Sequence, residues 1–205
     1  MVEINWKKEL AHLYMPSAKA FSIVEVPEMS FLMIDGHGDP NTSKDYVDAI
    51  SALYSAAYTL KFALKSRDIA YAVPALEGLW WVENMSEFST TNKDAWDWTM
   101  MIMQPTPITP EFFTSSVETL SRKKDLPALS RLRLENYQEG LSAQILYYGA
   151  YADEGPTIAK MHEFIRDNGY SLRGKHHEIY LGDPRRVVPE KLKTIIRQPM
   201  QRTSG

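Results

Sequence analysis

Residues 176–186 read HHEIYLGDPRR, and residues 76–81 read LEGLWW. In the first stretch, strand alternation sends Ile179 and Leu181 to one face and His176, Glu178 and Tyr180 to the other. The aliphatic pair suits a core under helices, which leaves Glu178 and Tyr180 for the opposite face. A carboxylate in the middle of a strand is costly when buried without a partner. LEGLWW matches HHEIYL in position along the chain and places Glu77 where the second stretch has Glu178. MIMQP (101–105) likewise matches IIRQP (195–199), ending on the same Gln-Pro.

Around these anchors the same order of elements recurs. FSIVEVPEMSFLMIDGHG (21–38) reads as a strand pair broken at Pro27-Glu28. Asn41-Thr42-Ser43 supplies capping oxygens for a helix to Lys65, whose Tyr46, Ile50, Leu53, Ala57, Leu60 and Leu64 form one apolar stripe. Strands over 69–83 and 96–104 follow, with the polar stretch Asn84–Asp94 as the loop between them. Thr109-Pro110-Glu111 opens a linking helix to about Lys124. RLRLENYQEGLSAQILYYGAY (131–151) then reads as a strand pair turning at Glu139-Gly140. PTIAKMHEFIRDNG (156–169) is a helix, and strands in 171–186 and 192–200 complete the set.

Strand pair, helix, strand and strand therefore occur twice, the mark of an internal duplication. The expectation is an α+β fold of two pseudo-symmetric repeats, antiparallel sheet with helices on one face and a ligand groove on the other. Repeat one spans about 21–107 and repeat two about 130–200, within a single domain of residues 21–200. Residues 1–20 form a helical extension with Trp6, Leu10, Leu13 and Tyr14 at helical spacing, stopped by Pro16.

Composition narrows the functions. The net charge is −3, so the chain lacks the basic footprint of a nucleic-acid-binding surface; the basic residues between Arg173 and Arg202 are interleaved with acids. No apolar run is long enough to span a bilayer, and the charged N-terminus is unlike a signal peptide, which predicts a cytoplasmic protein without membrane partners. The absence of cysteine removes disulfides, thiolate metal sites and cysteine nucleophiles. Oligomeric state is left open.

The residues that could carry chemistry are Glu178 and the aromatics. The bland alternative for Glu178 is an exposed strand residue or an internal ion pair with Arg197. Trp80 and Trp81 are neighbours on a strand and must point to opposite faces, so one packs in the core while the other can line the groove. Adjacent His176 and His177 diverge in the same way and cannot chelate one ion, so no metal is expected. Gly36-His37-Gly38 lacks the lysine and glycine spacing of a phosphate loop, and no serine sits in a nucleophile elbow.

MIDGHGDPN, LEGLWW and above all HHEIYLGDPRR followed by KTIIRQP resemble the GyrI-like small-molecule-binding proteins, over about residues 20 to 200. The resemblance implies two SHS2-type units with a ligand cleft between them and an acidic ligand contact at Glu178. Within the family the chain looks closer to stand-alone members that hydrolyse the strained cyclopropane of antibiotics of the yatakemycin and CC-1065 type, for cellular protection, than to the multidrug-responsive regulators. On that reading it is a hydrolase without a cofactor, acting on a flat apolar or cationic small molecule. Glu178, with a pKa raised by apolar surroundings, is the base, and Tyr148 or Tyr180 the hydrogen-bond donor. Trp80, Trp81, Trp98, Tyr151, Glu77, Phe112 and Arg197 are the ligand-binding candidates. The alternative is a non-catalytic sensor or sequestering module.

Overall fold

A computed structural model describes residues 1–85 and 92–203, so residues 86–91 of the expected Asn84–Asp94 loop lie outside the described residues. The first repeat comprises β2 (Ser22–His37), α3 (Lys44–Lys65), β3 (Ile69–Tyr71), β4 (Leu76–Trp81) and β5 (Asp97–Gln104). The second comprises β6 (Arg133–Tyr148), α5 (Gly155–Asp167), β7 (Tyr170–Leu172), β8 (His176–Tyr180) and β9 (Lys193–Arg202). Between them runs α4 (Pro110–Ser121). Before them come β1 (Val2–Ile4), α1 (Trp6–Glu9) and α2 (Ala11–Tyr14), with β1 pairing in parallel with β3. The class is α+β, as the repeated pattern requires.

The main sheet is antiparallel, in the order β6-β2-β5-β4-β8-β9-β7, and an additional β6–β9 pairing curls it back on itself. Closure depends on a correction to the sequence reading. The two expected strand pairs are instead two continuous strands of 16 residues each, β2 and β6, paired along their length. Proline lacks a ladder donor, and the register steps from Val26–Gly140 to Glu28–Gln138 past Pro27. Gly140, opposite the neighbouring Val26, has φ +73°, open to glycine without strain. Bends that read locally as turns are thus kinks at the same height in two paired strands, and they let each strand serve two neighbours.

Curvature gives the sheet an enclosed face and an outer face. On the outer face the alanines and leucines of α3 (Ala49, Leu53, Ala56, Leu60, Leu64) pack on Leu32, Ile34, Trp80, Trp98, Met100 and Ile102. The shorter α5 sets Met161 and Ile165 on Ala143, Ile145, Ile196 and Met200. The enclosed face collects Phe31, Met33, Leu79, Met101, Met103, Ile179 and Ile195 from both halves, and Trp6, Leu13 and Tyr14 of the N-terminal extension fill it. Met100 and Met101, neighbours on β5, belong to different layers, which is the strand period at work.

At the centre, β4 and β8 pair so that Gly78 faces Glu178, Glu77 faces Ile179 and Trp80 faces His176. Position by position, the repeat sets Gly78 against Glu178 and Glu77 against His177. A displacement of one residue on a strand reverses the face.

Candidate functional site

Alternation along β8 holds: Ile179 is buried in the enclosed layer, while Glu178 and Tyr180 point outward. The faces are the reverse of the sequence expectation: the N-terminal extension covers the aliphatic layer, and the outward side carries α3 and α5, so the carboxylate lies between these helices, where the two repeats meet. His176 Nε2 lies 3.1 Å from Glu178 Oε1, and the Tyr180 hydroxyl donates to Oε2 at 2.8 Å. Trp80 Nε1 in turn donates to the Tyr180 hydroxyl at 3.0 Å. Tyr180 is therefore a link in a chain from indole to carboxylate, and its proton is already committed.

Aromatic rings enclose this chain. Tyr151 meets Tyr180 edge-on at 5.3 Å, and Trp96 meets Trp80 edge-on at 5.4 Å. Tyr46 of α3 lies 6.1 Å from Trp80 and stands edge-on to Trp98 at 5.3 Å. Gly78 is required here: a β-carbon on it would sit 2.8 Å from Trp80 Nε1, the atom that supports Tyr180. The Glu178 side chain is only 15% exposed. Two shallow surface hollows, about 510 Å³ beside α4 and about 400 Å³ along the outer side of α3, are lined by other residues. Among the described residues the aromatic site is therefore largely buried, with the Glu178 side chain retaining a small exposed edge.

A second carboxyl comes from Glu154, the residue that opens α5. Burial and the charge of Glu178 push its pKa up to about 9, so it is neutral at ordinary pH. Glu178 moves the other way. Burial raises its pKa, but hydrogen bonds from His176, Tyr180 and Glu154 outweigh burial and hold it below the usual carboxylate range. The expected apolar elevation thus falls on Glu154 instead. Two carboxyls side by side, one ionised and one protonated, form an acid–base pair whose environments push the two groups apart. Tyr151, with its pKa raised to about 12 by burial and by Glu154, stays a neutral donor at the rim.

The other candidates separate. Trp80 and Tyr151 meet Glu178 and Tyr180, whereas Trp98 is fully buried beneath Tyr46 and forms the floor. Trp81 points to the opposite face, covered by Lys175 Nζ at 3.3 Å from the ring. Alternation in β6 gives Tyr147, not Tyr148, to the α5 side; Tyr148 is half exposed beside Lys193 and does not reach the carboxylates. Phe112 packs in the α3–α4 core under Arg67.

Glu77 and Arg197 belong to a polar cluster buried in the enclosed layer. His177 bridges Glu77 at 3.0 Å and Glu139 at 3.0 and 3.1 Å. Arg197 donates to Glu139 at 3.1 Å, to Gln144 at 3.0 Å and to the Leu13 carbonyl at 2.7 Å. The Tyr14 hydroxyl donates to Glu77 at 2.8 Å. Arg197 accordingly pairs with Glu139 rather than Glu178, and Glu77 is no twin of Glu178. Burial would lower the pKa of His177, yet Glu139 and Glu77 raise it to about 9; Glu139 is drawn down to about 2 by His177 and Arg197 against its own burial. This cluster clamps the N-terminal extension into the sheet.

Sequence reasoning missed Glu154, the place of Tyr46 at the site and the role of His176. An acid ahead of Gly155-Pro156 reads as a helix cap, yet the Glu154 side chain makes no capping hydrogen bond and turns into the site.

The GyrI-like small molecule binding domain matches residues 19–201. An uncharacterized conserved protein from Listeria innocua has 38% sequence identity and a TM-score of 0.90, covering 98% of this chain and 100% of that one. A structure described as a hydrolase, also from Listeria innocua, has 37% identity and a TM-score of 0.86, covering 98% of this chain and 99% of that one. The EcmrR C-terminal domain, at 12% identity and a TM-score of 0.56, covers 90% of this chain and 98% of that one and shares the fold alone. No curated protein matches the chain. With the family's pattern matched along nearly the whole sequence, the chain belongs to the GyrI-like small-molecule-binding family.

Proposed function

We propose that this GyrI-like protein hydrolyses an electrophilic small molecule, and that Glu178 activates the water. The observation that carries the reading is the pairing of Glu178, held by its hydrogen bonds below the usual carboxylate range, with Glu154, pushed above it by burial and the Glu178 charge, inside a largely buried, aromatic-walled site. A flat ligand bearing a cyclopropane conjugated to a carbonyl needs little more than orientation, a base and a donor at the oxygen where charge develops. Water gives a proton to Glu178 while its oxygen bonds to a ring carbon. The strained carbon–carbon bond breaks, and its electron pair moves through the conjugated system to the carbonyl oxygen. Tyr151 stabilises that oxygen by donating a hydrogen bond, the role first given to Tyr148 or Tyr180. Solvent protonates the resulting phenolate and recovers the proton from Glu178. Trp80, Tyr46 and Tyr180 orient the ligand. Hydrolase relatives at about 37% identity support the reaction class.

The test is incubation of the protein with a conjugated cyclopropane, followed by mass. The expected product has gained one water, and Glu178→Gln slows its formation at least roughly a hundredfold while the ligand still binds. Full turnover by the variant would remove Glu178 from the mechanism.

A buried carboxylate among aromatic rings also suits a lipophilic cation, with Glu178 as its counter-ion. On this reading Glu178→Gln weakens cationic dyes and spares neutral flat ligands. The opposite preference would exclude it.

A further inference from the structure

Two buried polar atoms beside Glu178, Glu154 Oε1 and Thr194 Oγ1, have no hydrogen-bond partner among the described residues. Glu154 is 2% exposed and Thr194 fully buried, and a buried polar group left unpaired is destabilising unless something satisfies it. The two come from different elements. Glu154 opens α5, whereas Thr194 lies on β9 directly beside Tyr180 and so shares the outward face of Glu178. The Thr194 hydroxyl comes close enough to the Glu154 carboxyl to lower its pKa somewhat by incipient hydrogen bonding, yet no hydrogen bond of ordinary length and angle satisfies either atom.

Glu178 has a matching deficit. A carboxylate offers about four lone-pair sites. His176, Tyr180 and Glu154 occupy three, which leaves one.

We propose that Glu154 and Thr194 hold the water that Glu178 activates. The inference rests on the hydrolytic reading above, and it names the residues that set the nucleophile in place. The carbonyl oxygen of the neutral Glu154 accepts one hydrogen of the water, and the Thr194 hydroxyl donates to its oxygen. The second hydrogen points to the remaining lone pair of Glu178. One lone pair of the water is then free to attack the ligand. The acid hydrogen of Glu154 stays on Glu178, so neither carboxyl is left unpaired while the water waits.

Crystal structures of the ligand-free wild type and of Thr194→Val, with kinetics on a conjugated cyclopropane, test the assignment. The expected wild-type structure has an ordered water within hydrogen-bonding distance of both Glu154 Oε1 and Thr194 Oγ1, and the variant lacks it. The kcat of Thr194→Val falls roughly 10- to 100-fold with KM nearly unchanged, because only the position of the nucleophile is disturbed, and Thr194→Ser restores it. The proposal is overturned if the two atoms bond directly to each other, if no water is ordered there, or if Thr194→Val retains full kcat. A wild type that holds the water but leaves the cyclopropane intact defeats the hydrolytic reading and leaves the water site standing.

Discussion

Replacement of His177 by glutamine should uncover a pH-dependent share of the folding free energy. Its ring is 1% exposed and lies between two buried carboxylates, so solvent screening removes little of the interaction. The folded pKa of about 9 exceeds the ordinary 6.5. That gap corresponds to about 3 kcal/mol. A raised cationic group contributes fully below pH 6.5, and its contribution is lost as pH rises through 9, because the folded chain keeps a proton that the unfolded chain has released. The fall of Glu139 to about 2 reports the same contact from its other side, so the two effects do not add. Glu154 gives a slope of the same sign, since a carboxyl held neutral in the folded chain also retains a proton. Comparison of wild type with Glu178- and Glu154-intact His177→Gln cancels that slope. Urea unfolding between pH 6 and 10 should therefore show the variant less stable at the acid end by an excess of about 3 kcal/mol that disappears toward pH 10. A difference that stays constant with pH would refute the claim that His177 is an imidazolium in the clamp.

Tyr180→Phe removes one of the hydrogen bonds that keep Glu178 ionised, so the acid limb of the kcat/KM profile should move to higher pH; an unmoved limb would mean that Tyr180 does not tune the base. Gly78→Ala places a β-carbon 2.8 Å from Trp80 Nε1. Overpacking of this kind costs about 1–3 kcal/mol, readable as a lower urea midpoint, and an unchanged midpoint would show that the indole moves aside freely.

The periodic features of the fold were legible from sequence. The apolar stripe of α3 and the alternation in β8 follow from local geometry, and they placed Glu178 and Tyr180 on one face. What escaped depends on distant partners. Pro27 and Gly140 look like turns until the strands carrying them pair, and only the pairing makes them kinks. Glu77 looked equivalent to Glu178 because a match by residue type overrode a shift of one position, which on a strand means the other face. Glu154 had no signal beyond an acid before a helix, and the same pattern serves exposed caps everywhere. Trp6, Leu13 and Tyr14 were read correctly as packing residues, but nothing local could say that they fill the space enclosed by the sheet.

Gly78 gives the duplicated scaffold a single carboxylate on the outward face of its central strand pair. It stands directly opposite Glu178 at the junction of the halves, in the very position that the repeat makes equivalent. Perfect symmetry would have set two carboxylates face to face, and one of them would have had to stay protonated. The glycine breaks that tie, and the second acid enters from α5, off the symmetry axis, where it can take a different role. Two copies of one architecture thereby hold one asymmetric pair: the duplication supplies the walls, and the departure from it supplies the polarity.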